Sequence, residues 1–168
     1  MSGYCSPKGR LLAVFIVCRQ ENEFLLSTHD SLADSVIARL RMYVMRADVS
    51  FESLTDQHLV FHDNRASGSD VSQSHSDSFS PQEFLELSTI DAATLEEAAS
   101  APSFQTLCIE LGLPIISGPL SEVLIPQSVN LDLIGGVSFT KGCYPGQEIV
   151  ARVRYRGKPK QRMIRVIA

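Results

Sequence analysis

The residues best equipped for chemistry lie in one stretch, Lys141-Gly142-Cys143-Tyr144-Pro145-Gly146-Gln147-Glu148. A cysteine, a lysine, two glycines and a proline so close together mark a backbone bent for close approach to something. The stretch falls between a short predicted strand and a predicted helix. Cys143 therefore stands just before a helix N-terminus and close to Lys141. Both features stabilise a thiolate, which makes Cys143 the candidate reactive residue. The alternative is an inert buried thiol. Pro145 or Gly146 is expected in the first helical turn, where proline is tolerated. Glu148 belongs to that turn and complements the positive helix end. It also precedes Arg152 at the favourable i, i+4 spacing for an ion pair.

Other candidates are weaker. Cys5, Cys18, Cys108 and Cys143 form no C-x-x-C pattern, so neither a zinc ribbon nor a disulfide framework is expected. They fit reduced thiols. His58 and His62 share one face of a predicted strand, but no third ligand accompanies them and no metal site is expected. No P-loop, G-x-G-x-x-G or G-x-S-x-G is present.

Charge is unevenly placed. Residues 141–168 hold eight cations (Lys141, Arg152, Arg154, Arg156, Lys158, Lys160, Arg162 and Arg165) against Glu148 alone, a balance of +7. Residues 1–140 carry 7 Lys/Arg and 18 Asp/Glu, a balance of −11, which leaves the chain at −4. The basic block can attract phosphate, polyglutamate or nucleic acid, or it can be a solvated face paired with the acidic remainder. Tyr155 adds one stacking group among the arginines, a feature of RNA contact.

The elements that must position these residues follow from pattern. Residues 10–18 are apolar and β-branched and read as a buried strand, with residues 23–28 as its hairpin partner. Asp30 or Ser31 caps a helix expected to run to Met45, with Leu32, Val36, Leu40, Tyr43 and Val44 at helical spacing. Residues 47–54 and 57–62 look like a second hairpin. Residues 64–80 are rich in Ser, Asp and Gly and read as a linker. Residues 82–87 are a short strand candidate. Residues 95–100 and 103–111 look helical, with Pro102 between them and Gly112 and Pro114 ending the second. Residues 122–125 and 137–139 are short strand candidates, 147–155 a helix and 163–168 a terminal strand. This order indicates an α+β fold. Residues 1–63 are read as a first subdomain and 81–168 as a second.

The chain has 168 residues, with 44% hydrophobic and 20% charged, an ordinary globular balance that excludes a mostly disordered chain. No apolar run approaches the roughly 18 residues of a membrane span. The polar N-terminus lacks the apolar core of a signal peptide, so an intracellular protein is expected.

The octapeptide resembles the K-G-C-Y-x-G-Q-E signature of the YgfZ family, folate-binding proteins related to the aminomethyltransferase (T protein) of glycine cleavage. All seven defined positions are present, and Pro145 fills the variable one. Further matches are Pro7-Lys8-Gly9-Arg10, Ile125-Pro126-Gln127, Gly135-Gly136-Val137-Ser138-Phe139, Ala151-Arg152 and Arg156-Gly157-Lys158. Phe104 through Glu110 to Gly112 is similar to a family helix written W-x-x-x-x-x-E-x-G, with Phe104 in place of Trp. Members usually carry several tens of residues before P-K-G-R and a β-barrel beyond the last match. The expectation is thus a truncated member: an incomplete aminomethyltransferase-like pair of β-β-α-β subdomains without the C-terminal barrel.

The resemblance implies tetrahydrofolate, or a one-carbon derivative, as cofactor beside residues 141–148. It implies cofactor-binding roles for Phe104, Glu110, Lys141, Gly142, Tyr144, Gly146, Gln147, Glu148 and Arg152. In that frame Phe104 borders the folate and Glu110 faces the pterin donors. Without the resemblance, Phe104 reads as a core residue and Glu110 as a solvated last-turn acid. Cys143 becomes a redox or transfer residue. The implied function is an accessory role in iron–sulfur cluster assembly or repair, supporting iron–sulfur enzymes that include tRNA-modifying ones. The implied partners are iron–sulfur proteins or their assembly machinery. The setting is the cytoplasm in a bacterium, or the mitochondrial matrix in a eukaryote. The alternatives are a true aminomethyltransferase and a non-catalytic module docking through its basic C-terminal segment. The apolar strand at 10–18 would be uncovered in a truncated chain, so self-association is expected as well.

Overall fold

The computed structural model describes residues 1–54, 58–63, 85–90 and 103–166. Its architecture is α+β, a three-stranded antiparallel sheet with three helices among the described residues. Strand β2 (Leu11–Gln20) is central, with β1 (Ser2–Cys5) on one side and β3 (Glu23–Ser27) on the other. Its run from Leu11 to Ile16 is buried at every position, so both faces are covered. That is why these residues read as continuous apolar sequence rather than an alternation.

The sheet corrects two expectations. Residues 2–5 form a strand that sequence reading missed, with Ser2 opposite Phe15, Tyr4 opposite Ala13, and a bulge between Tyr4 and Cys5. S-G-Y-C is too short and too polar to show a strand period. It is recruited because β2 has unpaired backbone groups to satisfy. With β1 and β3 in place, residues 10–18 are not an uncovered edge. Within this sheet the exposed large apolar side chains lie on β3, where Phe24 is 60% and Leu26 44% exposed.

Helix α1 (Asp30–Arg41) packs Leu32 and Val36 into the core. His29 occupies the capping position expected for Asp30 or Ser31, and the Ser31 N–H reaches both His29 Nδ1 and Asp30 Oδ1. The helix stops short of the expected Met45, and Tyr43 and Met45 are exposed. Residues 47–54 form no strand. Strand β4 (His58–Asp63) pairs instead with β5 (Leu85–Ile90), which starts later than the expected 82–87 strand. Val49, Phe51 and Leu54 sit among Asp48, Ser50, Glu52 and Ser53, and β4 takes its ladder from the distant segment instead. The predicted helix at 95–100 and the predicted linker at 64–80 lie outside the described residues.

Helix α2 (Phe104–Leu111) begins with Ser103 Oγ accepting the Thr106 N–H at 3.2 Å and ends on Gly112 in the left-handed region. It buries Leu107, Cys108 and Leu111. These join Leu11, Ala13, Leu32, Val36, Val129, Leu131 and Ile134 in one apolar cluster, with residues from both ends of the chain. Helix α3 (Gln147–Arg156) follows the octapeptide.

Three short strand predictions fail. Residues 122–125 form a turn beside β2, held by Glu122 N–H to Leu11 O at 2.7 Å and Leu11 N–H to Leu124 O at 2.8 Å. Residues 137–139 and 163–166 are irregular. Met163 is held by its N–H to Ser128 O (2.9 Å) and by Asn130 Nδ2 to its own carbonyl (2.8 Å). Residues 122–125 meet β2 only at Leu11, and Met163 meets only the turn at Ser128 and Asn130, so neither contact extends into a ladder. No helix among the described residues is long and apolar enough to cross a membrane.

Burial of Cys5 and Cys108 gives a first prediction. Desolvation pushes each thiol up from 9.0 to about 11, and on Cys5 the nearby Lys141 charge opposes it only in part. An acid whose native pKa is raised stabilises the fold below its unfolded pKa and loses that contribution as pH rises through the native one. Stability is therefore expected to fall between pH 9 and about pH 11, by about 2 kcal/mol per thiol. Urea melts across that range check it. A Cys5→Ala/Cys108→Ala chain should lose less over the same interval, and an equal loss would count against the assignment.

Candidate functional site

Two turns far apart in sequence build the site. The first closes residues 6–10, with Ser6 N–H donating to Arg10 O at 2.8 Å and Gly9 N–H to Ser6 O at 2.9 Å. Gly9 has φ +68, so the turn needs a residue without a Cβ. The second turn ends the octapeptide. Gly146 has φ +80 and is the N-cap of α3. A Cβ there would stand 2.5 Å from Ser6 O and 2.6 Å from Gly9 Cα. The P-K-G-R turn thus lies backbone to backbone on the K-G-C-Y-P-G-Q-E turn.

The octapeptide departs from its predicted helical geometry. Pro145 and Gly146 both precede the helix rather than entering its first turn, because Gly146 takes the left-handed conformation. Glu148 is in the first turn as expected. The expected Glu148–Arg152 ion pair is absent from the pairs among the described residues. Both side chains are exposed, where such a pair gains little over water.

Lys141 turns onto Tyr144, with Nζ 4.9 Å from the ring centroid, a cation–π contact. Its backbone N–H donates to Ser138 Oγ at 3.1 Å. Tyr144 is half-buried, and its hydroxyl is enclosed without a hydrogen-bond partner. Burial first, and Cys5 second, push its pKa upward. Ser6 Oγ is likewise buried and unpartnered. Cys143 is exposed, whereas Cys5 and Cys108 are buried and Cys18 is half-buried. The inert-burial alternative for Cys143 is thereby excluded.

Gln127, only 1% exposed, anchors α3 by donating Nε2 to Val150 O at 2.8 Å. Its Oε1 is a third enclosed atom without a partner. Arg162 clamps Asp132 with paired bonds of 2.8 and 2.9 Å, and the bond to Asp132 holds the guanidinium charged. This bidentate pair fastens the chain beyond α3 to the turn after Gln127.

No family model matches the chain. It does resemble curated proteins. It is 33% identical to "tRNA-modifying protein YgfZ" of Aliivibrio fischeri (strain ATCC 700601 / ES114), over 96% of this chain and 57% of that protein. It is 28% identical to the protein of that name from Klebsiella pneumoniae (strain 342), over 96% of this chain and 58% of that one. A shorter match to that of Blochmanniella pennsylvanica (strain BPEN) reaches 52% identity over 36% of this chain and 18% of the relative.

The chain is similar to YgfZ proteins along nearly all of its own length. It spans a little over half the length of the curated YgfZ proteins that it matches along most of its own length.

Among the site residues expected from the sequence, Lys141, Tyr144 and Gly146 are brought together with the first turn. Gly142, Glu148 and Arg152 are exposed on the same loop and helix, and Gln147 is half-buried at the helix start. Phe104 is half-buried and packs against the core, while Glu110 is exposed near the end of α2. Arg165 Nη1 donates to the Glu110 carbonyl at 3.2 Å. Sequence reading missed Cys5 and Ser6 as members of the site. The signal was available in part, since Gly9 marks a turn that must bring its neighbours close to something. Among the described residues no group of three or more His, Cys, Asp or Glu is placed to hold a metal ion.

Proposed function

We propose that this chain is part of a tetrahydrofolate-binding accessory protein that supports iron–sulfur enzymes, including ones that modify tRNA. The observation that carries this reading is the seating of the P-K-G-R turn on the K-G-C-Y-P-G-Q-E turn, with Cys143 left exposed beside it. The curated relatives carry the words "tRNA-modifying" in their names, which supports the tRNA-related part. The cytoplasmic setting and the iron–sulfur clients belong to the proposal.

Folate suits the polar atoms that the junction leaves unsatisfied. Ser6 Oγ and Tyr144 Oη are enclosed without partners, and an unpaired buried polar group costs on the order of 1–3 kcal/mol. A pterin or its amide linkage offers donors and acceptors to such atoms. Bound tetrahydrofolate supplies one-carbon or redox chemistry. The chain's own residues bind and orient it. Tyr144 offers a ring and a hydroxyl, Lys141 a positive charge for the glutamyl tail, and Glu110 a carboxylate for paired pterin donors. Phe104 adds an apolar face, and Cys143 is the redox or transfer residue. The incomplete β-β-α-β pair of an aminomethyltransferase-like fold is the frame of this reading.

Calorimetric titration with tetrahydrofolate tests it. The residues named here are part of a set spread over proteins of nearly twice the length, and each missing contact removes on the order of 1 kcal/mol. Binding weaker than micromolar is expected, and Tyr144→Phe should weaken it a few-fold further. A heat signal no different from that of free glutamate would count against folate.

A further inference from the structure

We propose that the end of α3 and the residues after it, through Tyr155, Arg156, Lys158 and Lys160, bind single-stranded RNA directly. The inference deepens the tRNA-related part of the reading above and does not depend on folate.

Its basis is which cations are already engaged. Lys141 rests on Tyr144, Arg154 lies 5.2 Å from the Phe139 ring centroid, Arg162 grips Asp132, and Arg165 donates to the Glu110 carbonyl. Arg156, Lys158 and Lys160 are exposed and belong to none of the ion pairs among the described residues. Among the described residues, no carboxylate neutralises these three cations through a direct pair. Arg154 and Arg156 complement the negative end of the helix, but Lys158 and Lys160 lie beyond its last turn.

The aromatic residue selects among polyanions. Tyr155 is 71% exposed, although a ring of that size gains by burial. It is steadied by an edge contact with Phe139, centroids 6.2 Å apart at 73°. A steadied, open ring among unpaired cations is the arrangement on which bases stack while phosphates meet the charges. An acidic peptide would meet the charges, but its carboxylates offer the ring no flat base to stack on.

Fluorescence polarisation with a labelled, unstructured oligouridine tests this on the 168-residue chain. Affinity should fall with salt at a log–log slope of about −2, as expected for three phosphate contacts on a single strand. Tyr155→Ala should weaken RNA binding by roughly tenfold. Arg156→Gln with Lys158→Gln should lower both the affinity and the slope. The thermal melts of the variants should match the parent, since the altered side chains are exposed. No salt-dependent binding at low ionic strength overturns the proposal. So does an unchanged affinity in Tyr155→Ala together with equal competition by polyglutamate, which would assign the surface to an acidic protein. Lack of RNA binding beside a normal folate signal would sink this inference alone.

Discussion

Gly146→Ala is expected to destabilise the protein by about 3 kcal/mol, two penalties acting together. One is conformational, because φ +80 is a region that residues with a Cβ occupy at a cost. The other is steric. The new methyl would meet Ser6 O at 2.5 Å, Gly9 Cα at 2.6 Å and Gly9 N at 2.7 Å. All three are backbone atoms, so no side-chain rotation relieves the contact. The turns must separate, or the first turn must give up its Gly9-to-Ser6 hydrogen bond. For a chain of this size the loss corresponds to a fall in melting temperature of roughly 10 °C. Gly142→Ala is the matched control. It is exposed, and its added Cβ would meet nothing within 4 Å. A change within about 0.5 kcal/mol is expected there. Equal melting temperatures for the two variants would mean that the turns are not seated on each other, and the site as described would fall with them.

Cys143 is expected to be alkylated far ahead of Cys5 and Cys108 in the folded protein. Burial raises the latter two to about 11, so at about neutral pH fewer than one in a thousand of either is thiolate. They are also shielded from reagent, at 6% and 2% exposure. Cys143 is exposed on the octapeptide, and Cys18 is intermediate. A rate advantage of about a hundredfold over both buried thiols is expected from their enclosure and their raised pKa values. Timed iodoacetamide labelling with peptide mapping reads it out. First labelling at Cys5 would mean that the P-K-G-R turn opens readily. Equal labelling of all four thiols would show that the sheet itself is loose. In either case Cys143 would lose its standing as the reactive residue.

The octapeptide was legible because its chemistry is local. Lysine, glycine, cysteine and proline in that spacing announce a bent, functional backbone whatever surrounds them. The same holds for β2, whose apolar, β-branched run between turn residues reads as a buried strand, and for α2, which Ser103 and Gly112 cap at its two ends. Four expected strands did not form where local pattern placed them. Residues 47–54, 122–125, 137–139 and 163–166 have strand-compatible side chains, but a strand exists only where another backbone offers a ladder. That partner is chosen by the whole fold. The same reason hid β1, which has almost no pattern of its own and exists because β2 needed a neighbour. The sequence by itself determined which loop carries the chemistry and which residues are its candidates. Only the tertiary structure decided that Cys5 and Ser6 face Tyr144 and Gly146, that Lys141 lies on the Tyr144 ring, and that Cys143 is open while Cys5 is closed. Contacts across more than a hundred residues of chain depend on the packing of buried side chains such as Leu11, Leu131 and Val150, and no local spacing encodes them.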